Sequence, residues 1–406
     1  MLAANEFNHR DTERYKIMSQ PTRVRRLLLC LDGVPHALIE AARHRGLFDV
    51  FKRPSRLLSP FPTMTNVALS AMFGATPPPG YESLYFDRHA RELRGGIKKY
   101  LGRRTPDKIP SSYMDDLDYQ EPLPFEFLIY VAPERVWRAD MQRFRERFRN
   151  APQTRDYFAF LKATDGLLHA QGPERLAVAL ESLDKILQEI RSYCGDETEI
   201  VMFSDHGMNL EENQRVPLAS TLRDRGFKLV IPAFGLCSYV ALYCDEDVIP
   251  EVARASVGVT GVDFAVYRDG DEIAIESERG QARVQRDGET YQYLLHTGDP
   301  LELGSFEPGF KTDREWFAKT AGHKYPDAVV NIYKSIFTPR VKHTADVLIS
   351  LKDGYYFGWS PFGRFVRLAA THGNALQASS NAFLMSTHRE FPQFVKADAA
   401  KALLRG

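Results

Sequence analysis

Three stretches of the chain are largely apolar and stop abruptly at polar residues. They cover Val24 to Leu31, Tyr157 to Thr164 and Ile200 to Phe203. Runs of this length, rich in Leu, Val, Ile and Phe, predict parallel strands that are buried on both faces. An amphipathic helix over Pro173 to Tyr193 connects the second strand to the third, which indicates a β-α-β unit in which these two strands are near neighbours. The pattern therefore predicts an α/β fold with a doubly wound, mostly parallel sheet.

Residues 245–321 have a different character and are rich in Val, Thr, Tyr, Gly and charged residues. Alternating runs at Glu272 to Glu278 and Gln281 to Gln285 are typical of antiparallel hairpins. We expect a small α+β cap inserted into the main domain. The predicted organisation is a flexible leader over 1–22, a core formed by 23–244 and 322–406, and the cap at 245–321.

Ionisable residues stand where the predicted strands end. Asp32 follows the first strand, Asp165 the second and Asp205-His206 the third, while His372 follows a further predicted strand at 365–370. His169 lies four residues after Asp165, so a helical turn would place both on one face. The carboxyl ends of parallel strands meet at one edge of a sheet, and open α/β sheets place their chemistry there.

Each of these residues also has a simpler explanation, and Asp32 alone fits a helix-capping Asp at a strand–helix turn better. Together they supply three Asp and three His, which are oxygen and nitrogen ligands for divalent metals. Six ligands suit two metals of three each, with an open position on each. The pattern therefore predicts a two-metal centre.

A hydroxyl is predicted beside this centre. The prolines of S-P-F-P-T disfavour a helix up to Thr63, and a short buried helix follows from about Thr65 and ends at Gly74. Thr65 or Asn66 would then lie at a helix N-terminus, which favours an anion. A Thr there is usually an N-cap, and it becomes a nucleophile only if a metal or another group lowers the pKa of its hydroxyl.

The composition of the chain limits the kinds of partner and the cellular location that we expect. The 53 Lys and Arg balance the 53 Asp and Glu, so no overall charge favours nucleic acid or an anionic membrane. The four scattered cysteines suggest buried thiols rather than disulfides, and no apolar run approaches a membrane span. The N-terminus lacks the apolar core of a signal peptide, so we expect a soluble, cytoplasmic protein. The oligomeric state is left open.

Five motifs, in this order, resemble the type I phosphodiesterase/nucleotide pyrophosphatase branch of the alkaline phosphatase superfamily. They are L-D-G, P-T-M-T-N, T-D-G-L-L-H-A-Q-G-P, S-D-H-G-M and A-T-H-G-N, and they span Val24 to Asn374. The resemblance implies an alkaline phosphatase-like fold, a two-zinc site and a Thr nucleophile. Mn²⁺ or another divalent metal is the alternative to zinc.

The resemblance also implies a role for each matching residue. Asp32, Asp205 and His206 would bind one zinc together with the nucleophile Thr65, for which Thr63 is the second choice. Asp165, His169 and His372 would bind the other zinc. The family usually continues after the nucleophile helix into a P-x-x-H-G segment and an Asn, whereas this chain reads T-P-P-P-G-Y-E-S-L-Y-F-D. Asn66, or its backbone N–H, is therefore the candidate for substrate binding.

The expected function is hydrolysis of a small phosphate ester or nucleotide through a phospho-threonine intermediate. The alternatives within the superfamily are a phosphomonoesterase and a phosphonate hydrolase. A sulfatase is disfavoured because the P-T-M-T-N site lacks the C/S-x-P-x-R motif, and a phosphomutase would more often have manganese and a different cap. A non-catalytic metal-binding relative is the alternative from another class.

Overall fold

The structure, a computed structural model, describes residues 26–96, 112–120, 122, 128–129, 132–151, 155–338, 340–358 and 368–405. Within these residues it has two seven-stranded sheets and two small two-stranded ones. The strands are β1 Arg26–Leu31, β2 Ser55–Leu58, β3 Leu84–Asp87, β4 Glu92–Gly95, β5 Tyr119–Gln120, β6 Tyr157–Leu161, β7 Glu199–Phe203, β8 Gln214–Arg215, β9 Tyr239–Leu242, β10 Val262–Asp269, β11 Glu272–Ser277, β12 Gly280–Asp287, β13 Thr290–Gly298, β14 Lys311–Thr312, β15 Val347–Leu351, β16 Tyr355–Tyr356, β17 Asn381–Ser386 and β18 Phe394–Lys396.

Helices cover the sheets, and several begin directly after a strand. The α-helices are α1 His36–His44, α2 Thr65–Phe73, α3 Pro133–Arg149, α4 Ala163–Gln171, α5 Pro173–Cys194, α6 Leu218–Asp224, α7 Ile249–Val257, α8 Asp313–Thr320, α9 Ala328–Phe337, α10 Gln377–Ser380 and α11 Ala400–Arg405. Short 3₁₀ helices cover Tyr113–Asp116, Glu246–Val248 and Ala397–Ala399.

The first large sheet is mostly parallel, as predicted. Its strand order is β18-β2-β17-β7-β1-β6-β5. Strand β1 is parallel to both β6 and β7, whereas β17 is antiparallel to both of its neighbours. Because β1 lies between them, β6 and β7 are not direct neighbours, although they are joined by the predicted β-α-β connection.

The continuous apolar pattern of β1 reflects burial on both faces. Leu27, Leu29 and Leu31 pack into the hydrophobic cluster that contains α5, and Leu28 and Cys30 pack into the cluster beneath α2. Successive side chains of a strand point to opposite faces, so a strand between two helical layers needs apolar residues at every position.

All four cysteines are free thiols.

Two of the predicted strands differ from the structure. The strand predicted over 157–164 ends at Leu161, because α4 begins at Ala163 and takes Asp165 into its first turn. Of the strand predicted over 365–370, residues 365–367 lie outside the described residues, and 368–370 form no strand. The chain there is held by backbone hydrogen bonds of Ala369 to His169 and of Thr371 to Asn209.

The second large sheet is antiparallel and has the order β14-β13-β12-β11-β10-β15-β9. The predicted hairpin between 272–278 and 281–285 is present as β11 and β12. The sheet also includes β9 and β15, which come from outside the proposed 245–321 insertion. The division at 245 and 321 therefore stays a prediction about domain organisation.

None of the described helices has the length and apolar character needed to cross a membrane.

Candidate metal centre and nucleophile

The carboxyl ends of β1, β6 and β7 meet at one edge of the parallel sheet, and Asp32 lies at their centre. Its backbone N–H donates to the Leu161 carbonyl at 3.1 Å, and its own carbonyl accepts from the Thr164 hydroxyl at 2.7 Å. These bonds fix the end of β1 against the start of α4. They place the carboxylate of Asp32 where the other polar strand ends converge.

Asp32, Asp205 and His206 form the first cluster, and all three are almost completely buried. The Nε2 atom of His206 lies 3.3 Å from Asp205 Oδ2 and 3.5 Å from Asp32 Oδ1. The backbone N–H of Gly33 donates to Asp205 Oδ1 at 3.1 Å and so orients that carboxylate. The three side chains thus direct one oxygen or nitrogen atom each to a common point.

Thr65 is the first residue of α2, and its hydroxyl faces the first cluster. Thr65 Oγ1 lies 3.2 Å from Asp32 Oδ1 and 3.3 Å from His206 Nε2. The N-terminal N–H groups of a helix lack intrahelical partners and carry the positive end of the helix dipole. The hydroxyl therefore stands between the cluster and an end of a helix that favours an anion.

Asp165, His169 and His372 form the second cluster. Asp165 Oδ1 lies 3.3 Å from His169 Nε2 and 3.5 Å from His372 Nε2. Asp165 and His169 are four residues apart on α4, as their spacing predicted. His372 comes from the loop before α10, so it reaches the cluster by tertiary contacts rather than from the end of a strand.

Each of the three histidines is fixed by a backbone carbonyl. The Nδ1 atoms of His169, His206 and His372 lie 2.7–2.9 Å from the carbonyl oxygens of Ala370, Gly207 and Thr63 respectively. A carbonyl only accepts hydrogen bonds, so each Nδ1 carries the hydrogen, and in the neutral ring Nε2 offers its lone pair to the cluster. Metal-binding histidines are oriented in this way by their second nitrogen.

The two clusters are adjacent, and a stacked pair of histidine rings, one from each cluster, lies between them. The rings of His206 and His372 stack with their centroids 3.9 Å apart and their planes at 17°. Gly33 fills the gap between the clusters: a Cβ atom there would lie 2.8 Å from Asp165 Oδ1 and 3.2 Å from His206 Cε1. Gly33 also has a φ of +68°, a conformation that favours glycine.

The ionisation of the clusters follows from burial. Burial lowers the pKa of His206 to about 4, and burial together with repulsion from His206 lowers the pKa of His372 to about 3. Burial raises the pKa of Asp205 to about 6. Burial also acts to raise the pKa of Asp165, but attraction to His169, whose own pKa is raised by Asp165, outweighs it, so the pKa of Asp165 is lowered. Near pH 7, His206 and His372 are therefore neutral and able to act as ligands.

The donor set fits divalent metals. Buried Asp165 Oδ1 and Asp205 Oδ2 have no hydrogen-bond partner among the described residues. Asp205 Oδ2 faces the neutral Nε2 of His206 at 3.3 Å, so two lone pairs oppose each other, an arrangement that a cation between them would turn into two favourable contacts. Carboxylate and imidazole donors in sets of three suit zinc with an open position. The residues therefore fit two metals, one in each cluster, on either side of the stacked rings of His206 and His372.

Thr63 and Asn66 have different surroundings. The Thr63 hydroxyl donates to the Asn374 carbonyl at 3.1 Å and accepts from the Gly373 N–H at 2.9 Å. Its hydrogen-bonding capacity is therefore used in holding the His372 loop, which makes it a poor second choice as nucleophile. Asn66, the second residue of α2, accepts a hydrogen bond from the Tyr113 hydroxyl at 2.8 Å. Sequence reasoning missed Tyr113, because its segment has no recognisable periodicity.

A largely parallel α/β sheet with two neighbouring carboxylate–histidine clusters, the first of them beside a hydroxyl, is an arrangement that suits a metal-dependent hydrolase. The profile of the type I phosphodiesterase/nucleotide pyrophosphatase family matches residues 75–286, just over half of the chain. The chain belongs to this family, and it is a phosphoric ester hydrolase, as the sequence predicted. The matched region contains Asp165, His169, Asp205 and His206; Asp32, Thr65 and His372 lie outside it.

Solved structures share the fold over nearly the whole chain. Phosphonoacetate hydrolase from Sinorhizobium meliloti 1021, in complex with phosphonoformate, is 14% identical with a TM-score of 0.51, and 95% of each chain is covered. Murine ectonucleotide pyrophosphatase/phosphodiesterase 5 is 12% identical with a TM-score of 0.50, and 94% of each chain is covered. At these identities the similarity establishes the alkaline phosphatase-like fold. No match to a curated protein was found.

Proposed function

We propose that the chain is a two-metal phosphodiesterase or nucleotide pyrophosphatase that uses Thr65 as its nucleophile. The observation that carries this proposal is the position of Thr65 Oγ1, within 3.3 Å of two members of the first cluster and at the start of α2. A threonine hydroxyl that served only as a helix N-cap would bond to the N–H groups of its own helix.

The two clusters would hold the metals, with zinc favoured and Mn²⁺ as the alternative. Asp32, Asp205 and His206 would bind one ion together with Thr65 Oγ1. Asp165, His169 and His372 would bind the other. When bound, such a pair supplies Lewis-acid stabilisation of the entering and leaving oxygens and lowers the pKa of a coordinated hydroxyl or water.

The proposed hydrolysis consists of two displacements at phosphorus, and Thr65 is the nucleophile of the first and the leaving group of the second. The Thr65 hydroxyl releases its proton to solvent, its oxygen attacks the phosphorus, the bond to the leaving oxygen breaks, and a phospho-threonine forms while the leaving oxygen takes up a proton. A water molecule then attacks the phosphorus from the vacated side and gives up a proton, the Thr65 oxygen leaves and takes up a proton, and phosphate or a phosphomonoester is released. The N-terminal N–H groups of α2 would face the non-bridging oxygens, where negative charge is concentrated. Asn66 is the side chain proposed to bind one of these oxygens.

The proposed substrate is a small phosphate ester or nucleotide. The equal numbers of acidic and basic residues give no field that would attract a polyanion such as nucleic acid. The cytoplasmic location also stays a proposal.

The test is turnover of matched p-nitrophenyl substrates by protein loaded with zinc or manganese. A kcat/KM at least about tenfold higher for bis-p-nitrophenyl phosphate than for p-nitrophenyl phosphate, a difference of about 1.4 kcal/mol, supports the phosphodiesterase. The reverse order would replace it with the phosphomonoesterase, and a preference for p-nitrophenyl phosphonate with the phosphonate hydrolase. Two bound metals with no turnover of any substrate would favour the non-catalytic relative.

A further inference from the structure

The amide of Asn66 is held from one side by a buried tyrosine. The Tyr113 hydroxyl donates to Asn66 Oδ1 at 2.8 Å, and Tyr113 is 6% exposed. Burial raises the pKa of the Tyr113 phenol, so the hydroxyl keeps its hydrogen and remains a donor. Since an amide is planar, fixing its oxygen also fixes the direction of its NH₂ group.

Tyr113 is itself placed by the edge of the parallel sheet. Its ring packs in the hydrophobic cluster of α2, together with residues such as Leu69 and Phe158. Downstream of Tyr113, Asp118 is fastened to β6 at both ends: its N–H donates to the Phe158 carbonyl at 2.8 Å, and its carboxylate accepts from the Phe158 N–H at 2.9 Å. The segment that carries Tyr113 is therefore anchored to β6, the strand that leads into the second cluster.

The neighbourhood of Asn66 explains why its orientation matters. Asn66 is the residue directly after Thr65 in α2, and the Thr65 hydroxyl is the group proposed to attack phosphorus. An amide presents an acceptor at one end and two donors at the other. Only the donor end stabilises the negative charge that develops on a non-bridging phosphoryl oxygen. Among the described residues, the hydrogen bond from Tyr113 is the one that fixes the orientation of this amide.

We propose that Tyr113 is a positioning residue, whose hydroxyl holds the Asn66 amide so that Nδ2 donates to a non-bridging oxygen of the phosphoryl group at Thr65. This inference rests on the proposed function. Tyr113 acts through Asn66 and does not contact the substrate. The pair would fill the place of the P-x-x-H-G and Asn segment that is missing after Gly74.

The test is a double-mutant cycle with N66A, Y113F and the double variant, each loaded with metal. We expect N66A to lower kcat by about 10²- to 10³-fold, as loss of one donor to a developing oxyanion does. We expect Y113F to lower kcat by about tenfold with KM little changed, since it removes one hydrogen bond. The double variant should match N66A, because Tyr113 has nothing left to position. Independent, multiplicative effects or a normal kcat for Y113F would overturn the proposal.

Tyr157 provides the matched control. It lies at the start of β6, is 5% exposed, and its hydroxyl has no hydrogen-bond partner among the described residues. Y157F therefore makes the same chemical change in a comparable environment away from Asn66. We expect it to keep the wild-type kcat. An equal loss of kcat in Y157F and Y113F would show that removal of any buried phenol near β6 is responsible, and would overturn the positioning role.

Binding of inorganic phosphate separates this inference from the proposed function. If the metal-loaded wild type turns over none of the phosphate esters, the proposed function fails, but calorimetry still reports phosphate affinity. We expect N66A to weaken phosphate binding about tenfold or more, and Y113F to weaken it by a smaller factor that disappears in the double variant. Wild-type affinity for phosphate in both single variants would overturn the inference, whatever the outcome for turnover.

Discussion

The imidazole rings of His206 and His372 lie face to face, with 3.9 Å between their centroids. Each ring has its Nδ1–H fixed on a backbone carbonyl and its Nε2 directed into a different cluster. The stack therefore sets the spacing between the two groups of ligands. Metals in such neighbouring sites lie about 4 Å apart, the separation at which two ions can hold the entering and leaving oxygens of one displacement.

Metal content should follow the two clusters separately. We expect two metals per chain in the wild type, as in two-metal hydrolases, and about one in either His372→Ala or His206→Ala, because each change removes a ligand from one cluster only. Elemental analysis after dialysis measures this. His44→Ala, an exposed histidine at the end of α1, is the control and should retain both metals. Full metal content in the His372 variant would refute its assignment as a ligand.

Replacing Thr65 with Ala should abolish turnover and leave the metals in place. The change removes the proposed nucleophile but none of the six Asp and His ligands. We expect kcat to fall by at least about 10⁴-fold, the scale seen when a catalytic nucleophile is deleted. Thr65→Ser keeps a hydroxyl at the start of α2 and should retain part of the activity. Normal turnover in the Ala variant would rule out the phospho-threonine intermediate.

Gly33→Ala should loosen both metal sites, because its Cβ would lie 2.8 Å from Asp165 Oδ1 and 3.2 Å from His206 Cε1. Gly270→Ala is the matched control: its φ of +63° is close to the +68° of Gly33, and a Cβ there meets nothing within 4 Å. Both variants should lose about 1–2 kcal/mol of stability from the left-handed backbone. Only the Gly33 variant should also bind metal more weakly, as measured by competition with a chelator. Equal metal affinity in the two variants would contradict the position of Gly33 against both clusters.

Asp140, on α3, should make stability depend on pH. It is fully buried, and burial raises the pKa of its carboxyl to about 7, although a hydrogen bond from Tyr119 acts in the opposite direction. Between the unfolded pKa of 3.8 and about 7, the folded state keeps a proton that the unfolded state has released. The stability contributed by the protonated carboxyl is therefore complete below about pH 4 and is lost as the pH rises through about 7.

The change Asp140→Asn should remove this part of the pH dependence. We expect the free energy of unfolding of the wild type to fall, relative to the variant, by up to about 1.4 kcal/mol per pH unit across this window. Urea unfolding between pH 4 and pH 8 measures the difference. Asp49→Asn, on the exposed surface, is the control for changing an acid to an amide. Parallel curves for the wild type and the Asp140 variant would show that Asp140 does not titrate in this way.

Much of the fold was accessible from local patterns. Strands β1, β6 and β7 were predictable because burial on both faces requires apolar residues at every position. Helix α5 was predictable from its apolar stripe, and Leu176, Leu180, Leu183 and Leu187 are buried on one face as expected. Strand β17 was missed, although it lies inside the mostly parallel sheet, between β2 and β7. Its direction and place depend on pairing with β2 and β7, and its own short sequence does not encode these partners.

The sequence by itself determined which residue types stand at the ends of the buried strands, because a strand that leaves the core must end in polar groups. It also determined the helical spacing that brings Asp165 and His169 together. Only the tertiary structure decided that Thr65 rather than Thr63 faces the first cluster, that Asn66 meets Tyr113, and how His372 is held. The hydrogen bond from His372 to the Thr63 carbonyl joins residues 309 positions apart, and no periodic pattern along a chain specifies a contact over that distance.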